Sequence, residues 1–504
     1  MTKRVQKTDQ KDAIIEAYVK LLKKTGAHPT KAELATVGFN RDKIRSAFGN
    51  LQGLRGAAKK SNASAFANLI DDSIFSKVNM ARLAGIAKGF KRFIVTTAVE
   101  GQSVHKKFLQ SLNRYCVINN AKLLVLSCAD PASNRAFSLD ALLGAENIVV
   151  GDLALNSNLF ISRIKTSAKQ IDPTTGLARI GQRNGTFIYA SPKQRLKFIP
   201  MGNDKLPHAM VTPGSVTKAN YNTDRYLSER TAYIATHDHV IGALIVEIED
   251  DKAFHFRHVQ ADTKGRFIDI GVRYSPIKKP AQINAAAVVM GDWHSGETDQ
   301  TADQAWKELC EMVQPDYLIV HDGFNGISSN PHDKSKLITR AQLAQSDLLN
   351  LTKELQGFAK DLDRLQKRCK KRVIVVKSNH DIFLERWLQD GDYVKDAQNH
   401  LIGSKLATAM LEDKDPLQIG TELCGLENKE RIQWLSMDDD FRIAGVQLGA
   451  HGHKGNNGAK GSLMGIEIAY GESITGHSHT PEILRGAWQV GTSSYLKLGY
   501  NEGP

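Results

Sequence analysis

Residues 286–297, AAVVMGDWHSGE, begin as small and β-branched apolar side chains that read as a buried strand, and then stop on Asp292 and His294. The same device recurs down the C-terminal half. DYLIV leads into HDGFNG with Asp322 and Asn325, and KRVIVV leads into KSNHDIF with Asn379, His380 and Asp381. GVQLGA leads into HGHKGNNG with His451 and His453, and ESIT leads into GHSHTPEI with His477 and His479. A single His at a strand end is usually a packed structural residue, but five successive ends bearing metal-capable side chains are hard to assign to packing. Helical patterns lie between them: ADQAWKELCEMV, and a long amphipathic stretch over residues 335–369 in which Gly357 is only a mild interruption. Strand–helix alternation predicts an α/β fold with a largely parallel sheet. Such sheets gather ligands outside the carboxyl ends of their strands.

In order, GDWHSG, HDGFN, SNHD, HGH and GHSH resemble the five blocks of calcineurin-like metallophosphoesterases, over about residues 285–495. Two departures stand out: His321 and Ser378 replace glycines, and neither change removes a ligand. The resemblance implies a metallophosphoesterase sandwich. It implies one ion on Asp292, His294 and His479, a second on Asn379, His451 and His477, and Asp322 bridging them. It also implies His380 as proton donor to the leaving oxygen, with Asp381 orienting it. Mixed carboxylate, imidazole and amide donors suit two divalent ions, manganese first, with magnesium, iron or zinc as alternatives.

The substrate is a separate question, because one superfold hosts many phosphoesters. The Ser/Thr phosphatase blocks GDxVDRG and RGNHE are absent, and with them the arginines that grip a phosphoprotein. The charge distribution points elsewhere. Net charge is +13, and residues 1–60 hold 14 Lys/Arg against 5 Asp/Glu, leaving only +4 for the other 444 residues. A basic block of this kind is an electrostatic footprint for polyanions.

That block is patterned. DQKDAIIEAYVKLLKKTG sets Ile14, Tyr18, Leu21 and Leu22 on one helical face, ended by Gly26. Thr30 can cap a short helix stopped by Gly38, and Asn40 can cap a third, RDKIRSAFGNLQGL, carrying Arg41, Lys43 and Arg45. Three helices with a basic third have the pattern of a helix-turn-helix. HPTKAELATVGFNRDKIRSAFGNLQGL also resembles the helical repeats attached to homing endonucleases, which implies that Arg41, Lys43 and Arg45 face DNA.

The expectation is therefore a metal-dependent deoxyribonuclease similar to break-repair nucleases. A basic head joined to this core also looks like early DNA-degradation proteins of tailed phages. A small-molecule phosphodiesterase or phosphatase, and a non-catalytic DNA-binding scaffold, are the competing readings. Three domains are expected: a helical head over 1–60, a middle α/β domain over 61–284 and a catalytic domain over 285–504. No apolar run reaches the roughly 20 residues of a membrane span, the N-terminus lacks a secretory h-region, and the five cysteines form no C-x-x-C pair. These features predict a cytoplasmic protein, in the host if phage-encoded, with DNA as partner and a homo-oligomer left open.

The middle region shows no such motif, yet KRFIVTTAVEGQSVHKKFLQSLNRYCVINNAKLLVLSCAD reads strand, helix, strand, ending near Asp130, with nearly the spacing seen from Ala286 to Asp322. HAMVTPGSVTKANY echoes the late GHSHTPEI…GTSSYLKLGY. The region is expected to be either a decayed copy of the C-terminal fold, with Ala98 and Glu100 in place of Asp292 and His294, or an unrelated α/β domain.

Overall fold

A computed structural model of the chain describes residues 2–25, 28–29, 31–67, 69–70, 84–85, 88–128, 138–202, 206–221, 228–437, 439–455 and 461–496. Gly26, Thr30 and Asp130 lie outside the described residues. The chain is mixed α/β and divides into two compact units. The first comprises Met1–Met201, Lys205–Asp269 and Arg273–Ala281; the second comprises Gly202–Asp204, Ile270–Val272 and Gln282–Pro504.

The first unit begins with helices α1 (Thr2–Thr25), α2 (Lys31–Thr36), α3 (Arg41–Phe48) and α4 (Leu51–Ser61). Ile14, Tyr18, Leu22, Leu34, Ile44 and Leu54 are buried together, with Leu21 packed partly against them. Each such side chain contributes about 2 kcal/mol by leaving water. The third predicted helix is in fact two. Gly49 takes φ 77° at the end of α3, and Asn50 accepts from the Gly53 amide to start α4. Gly53 cannot be anything larger, because a Cβ there would lie 2.2 Å from the Phe48 carbonyl oxygen. The expected cap at Asn40 is present, with its side chain accepting from Lys43 N at 3.0 Å.

The rest of the first unit holds β1 (Arg92–Val99), α5 (Lys106–Ile118), β2 (Ala121–Cys128), β3 (Ile148–Val149), β4 (Leu153–Ala154), β5 (Leu159–Lys165), α6 (Ala178–Asn184), β6 (Thr186–Ala190), β7 (Gln194–Ile199), β8 (His208–Pro213), α7 (Glu229–His237), β9 (Gly242–Ile248) and β10 (Phe254–Gln260). One sheet runs β10-β9-β1-β2-β3, with β1, β2 and β3 mutually parallel. The strands β4-β5-β6-β8-β7 lie side by side in a second, with β5, β6 and β8 parallel and β4 and β7 antiparallel at the two ends.

The second unit holds β11 (Ala287–Val289), α8 (Gln300–Val313), β12 (Tyr317–Val320), α9 (Leu337–Gln345), α10 (Leu351–Leu365), β13 (Arg372–Val375), α11 (Asp381–Gln389), α12 (His400–Leu411), α13 (Pro416–Leu423), β14 (Ile432–Trp434), β15 (Arg442–Ile443), β16 (Val446–Gln447), α14 (Leu463–Tyr470), β17 (Ser473–Thr475), β18 (Glu482–Leu484) and β19 (Ala487–Gln489). The single long helix expected over 335–369 is broken between α9 and α10, not at Gly357. Asp347 sits at φ 57°, and Asn350 caps α10 by accepting from Lys353 N. Both terms favour a local stop over a continuous helix.

Strands β11-β12-β13-β14 form an all-parallel sheet in the register Ala287↔Tyr317, Tyr317↔Arg372 and Val373↔Ile432. Their side chains alternate between two cores, as the pleat requires. Leu318, Val320, Val373 and Val375 pack with Leu355, Phe358 and Leu362 of α10. Ile319 and Ile374 face the other way, onto Leu448 and Ile474 of the second layer. That layer contains β15-β16-β17-β19-β18, parallel across β16, β17 and β19 and antiparallel at each end. Two sheets sharing one apolar core, with helices on the outer face of the first, leave their strand ends together along one edge.

Candidate metal centre

The centre is built where these strands stop. After β11 the Asp292 amide donates to Gly491 O at 2.9 Å and its carbonyl accepts from Ser493 N at 2.8 Å, so the loop is pinned on both sides. Trp293 turns away into the core and donates from Nε1 to Asp361 at 3.0 Å. Asp292 and His294 are therefore left on the opposite side, both fully buried. His294 N donates to Asp322 O at 2.7 Å, tying the ends of β11 and β12 together.

Four of these residues hold backbone conformations that side chains disfavour: His294 (φ 47°), Asp322 (φ 44°), His477 (φ 82°) and His479 (φ 57°). Each costs roughly 1–3 kcal/mol and persists only where the surroundings enforce it. Gly476 shows how tight the site is. A Cβ there would lie 2.2 Å from Asp292 Oδ1 and 2.9 Å from His321 Cβ, so this glycine accommodates the histidine that departs from the glycine pattern at 321.

Two groups of side chains could each hold a metal ion: Asp292, His294, Asp322 and His479, and Asp322, His451 and His477. Asp322 belongs to both. His294 Nε2 and His479 Nε2 face each other at 2.9 Å, and His479 Nε2 lies 3.5 Å from Asp292 Oδ2. His451 Nε2 lies 3.2 Å from Asp322 Oδ2 and 3.1 Å from Asn379 Oδ1, while His477 Nδ1 lies 3.0 Å from the same Asn379 oxygen. All seven predicted ligand positions thus converge, drawn from five strand ends.

The donor set fits a cation. Asp292 Oδ1 and Asp322 Oδ1 are buried with no hydrogen-bond partner among the described residues, a costly state for carboxylates unless a positive charge sits beside them. Burial, and then the Asp322 carboxylate, push Asp292 well above the usual carboxylate range. Burial acts on Asp322 too, but His451, His380 and His294 outweigh it and hold that group well below. Burial pulls His294 and His477 down to about 4, which leaves both rings neutral and able to ligate at neutral pH. His451 is pushed the other way, to about 9, because Asp322 outweighs its burial.

His380 is half-buried at the edge, with its ring 4.9 Å from that of His294. Its Nδ1 lies 2.7 Å from the Asn325 carbonyl oxygen. This corrects the role expected of Asp381. The Asp381 carboxylate accepts from Ser378 N at 2.8 Å, and Ser378 Oγ accepts from Asp381 N at 3.3 Å. That reciprocal pair closes the turn leading into α11, whose own N-cap is His380.

Sequence reasoning assigned no role to three residues now found here. Asn325 Oδ1 touches His294 Nδ1 at 3.2 Å as well as holding His380 through its carbonyl. The His321 ring, fully buried, lies 5.6 Å from that of His451. The His453 ring lies 5.6 Å from His451 and 5.9 Å from His477. Their positions inside the HDGFN and HGH blocks were the available signal. Arg41, Lys43 and Arg45 are exposed on α3, and Lys43 Nζ reaches back to Gly38 O at 3.0 Å. No described helix is long and apolar enough to cross a membrane.

Among curated proteins the chain is similar to protein A1 of Escherichia phage T5, with 26% identity over 452 residues, covering 82% of this chain and 78% of that protein. The similarity points to a phage protein. No family profile matches the chain, and no solved structure matches it.

Proposed function

We propose that the chain is a metal-dependent nuclease of calcineurin-like metallophosphoesterase architecture, hydrolysing DNA phosphodiester bonds in the host cytoplasm. The observation that carries this reading is the convergence of Asp292, His294, Asp322, Asn379, His451, His477 and His479 on one buried site in which Asp322 is shared by both clusters. These residues would hold two divalent ions, manganese the best suited, which would supply Lewis acidity toward a phosphoryl oxygen and acidify an attacking water. The protein's own residues do the rest. Asp322 fixes the spacing between the two clusters, and the left-handed backbone at His294, His477 and His479 keeps their ring nitrogens pre-aimed. His380, positioned at the edge of the site by the contact of its Nδ1 with Asn325 O, donates the proton to the leaving oxygen. Arg41, Lys43 and Arg45 supply phosphate contacts from the head, whose domain extends over residues 1–60.

The test is to assay the purified protein with Mn²⁺ on a linear DNA duplex and on a chromogenic bis-phosphate ester. Cleavage of both, with the duplex turned over far faster at low salt, supports the nuclease. Hydrolysis of the ester with no cleavage of duplex or single-stranded DNA favours a small-molecule phosphodiesterase. DNA binding without hydrolysis of either substrate favours a scaffold.

A further inference from the structure

We propose that the first unit carries a second copy of the second unit's fold, in which the ion-holding loops have been rebuilt around a buried Lys193–Asp238 ion pair, so that this copy binds no divalent cation. The proposal does not rest on the nuclease reading.

The strand orders coincide. β4-β5-β6-β8-β7 repeats β15-β16-β17-β19-β18, with the same parallel and antiparallel pairings and one helix, α6 or α14, before the third strand of the chain order. β1-α5-β2-β3 repeats the parallel run of β11, β12 and β13 without the long helical insertions.

The agreement extends to single hydrogen bonds far apart in sequence. Thr97 N donates to Gly214 O at 3.0 Å and Thr97 O accepts from Val216 N at 2.8 Å, as Asp292 does with Gly491 and Ser493 at 2.9 and 2.8 Å. Ser215 Oγ reaches Thr97 O and Thr217 Oγ1, as Thr492 Oγ1 reaches Asp292 O and Ser494 Oγ. His105 N donates to Val216 O and its side chain caps α5; Asp299 N donates to Ser493 O and its side chain caps α8. Ser191 N donates to the Thr97 side chain as His477 N donates to the Asp292 side chain. Glu100 N donates to Cys128 O as His294 N donates to Asp322 O.

These bonds correct the sequence pairing by one residue: Thr97, not Ala98, stands where Asp292 does, while Glu100 keeps its match to His294. Cys128 then takes the place of Asp322, and Ser191-Pro192-Lys193 that of His477-Ser478-His479. The chemistry of the site is inverted. Lys193 Nζ meets Asp238 Oδ2 at 2.6 Å with both side chains almost wholly buried, so a fixed ammonium occupies the neighbourhood of a ligand ring. Glu100 accepts from Ser127 Oγ at 2.6 Å, and the Cys128 thiol donates to Thr166 O at 2.9 Å. Asp238 comes from the segment that ends α7. That segment lies across the same loops, with Val240 N on Pro192 O at 2.9 Å and Ser215 N on Val240 O at 2.8 Å. Among the described residues, the groups able to hold a metal all lie in the second unit.

The experiment measures bound Mn²⁺ per full-length chain by mass spectrometry after equilibrium dialysis, together with Tm. Asp322→Ala/His451→Ala is expected to remove all tightly bound Mn²⁺; one or more ions per chain remaining would overturn the proposal. Lys193→Met is expected to leave Mn²⁺ content unchanged and lower Tm by about 5–15 °C, because the buried Asp238 carboxylate loses its ammonium and keeps the more exposed His237 ring, with most of the loss recovered in Lys193→Met/Asp238→Leu. A change in Mn²⁺ content with Lys193→Met, or an unchanged Tm, would equally defeat it. A wild-type chain that bound no Mn²⁺ would sink the reading of the second unit's centre, while the Tm series would still decide this one.

Discussion

Asp322 is the residue on which most of the centre's electrostatics turn. It is fully buried, sits at φ 44°, belongs to both metal-capable groups and is held ionised by the histidines around it. Asp322→Ala is expected to abolish nearly all hydrolysis and metal binding without unfolding the chain, since the change also removes a buried charge. His380→Ala should behave differently. Its ring touches His294 but lies outside both metal-capable groups, so metal content should stay at the wild-type level while the rate falls roughly 100-fold, the scale of a lost general acid. Metal analysis beside the rate measurement separates the two roles, and a metal-depleted His380→Ala protein would refute the division. At this scale the sequence was most legible, because residue type and block order carry the chemistry. Asp381 was not, because a carboxylate next to His380 can turn either to the ring or back onto the preceding turn. The Ser378 amide decided that choice.

At the scale of elements, the strands and their terminal ligands followed from apolar runs, whereas the helix boundaries depended on local caps. The break between α3 and α4 at Gly49–Asn50 and the break between α9 and α10 near Asp347 both interrupt good helical periodicity. Periodicity reports which face is buried and is blind to a stop that preserves phase. The consequence for α3 is a short, exposed basic helix, with Ile44 buried beneath Arg41, Lys43 and Arg45. Neutralising the three as Arg41→Ala/Lys43→Ala/Arg45→Ala should weaken duplex binding and reduce the slope of log K against log salt by as much as about 3, if each contacts one phosphate. Hydrolysis of the small chromogenic ester should be untouched. Equal salt slopes for variant and wild type would remove α3 from the DNA interface.

At the scale of the whole molecule, pH offers a way to read the first unit separately. Burial pulls His239 and His258 down to about 4 from 6.5, despite their hydrogen bonds to Thr217 O and Thr212 O. The unfolded chain therefore binds protons that the folded chain refuses between these values. Stability from these rings is fully present above pH 6.5 and is lost as pH falls toward 4, with up to two protons taken up on unfolding. His239→Gln/His258→Gln should flatten the decline of Tm over that window relative to wild type, and parallel curves would rule the linkage out. The sequence by itself determined the α/β class and the five strand ends with their ligand-type residues, because these depend on local apolar patterning and side-chain chemistry. Only the tertiary structure decided that Asn325 holds His380, and that Thr97 rather than Ala98 makes the hydrogen bonds that Asp292 makes. Those facts rest on hydrogen bonds between segments as much as 201 residues apart, where one inserted residue shifts every pairing and leaves no trace in local periodicity.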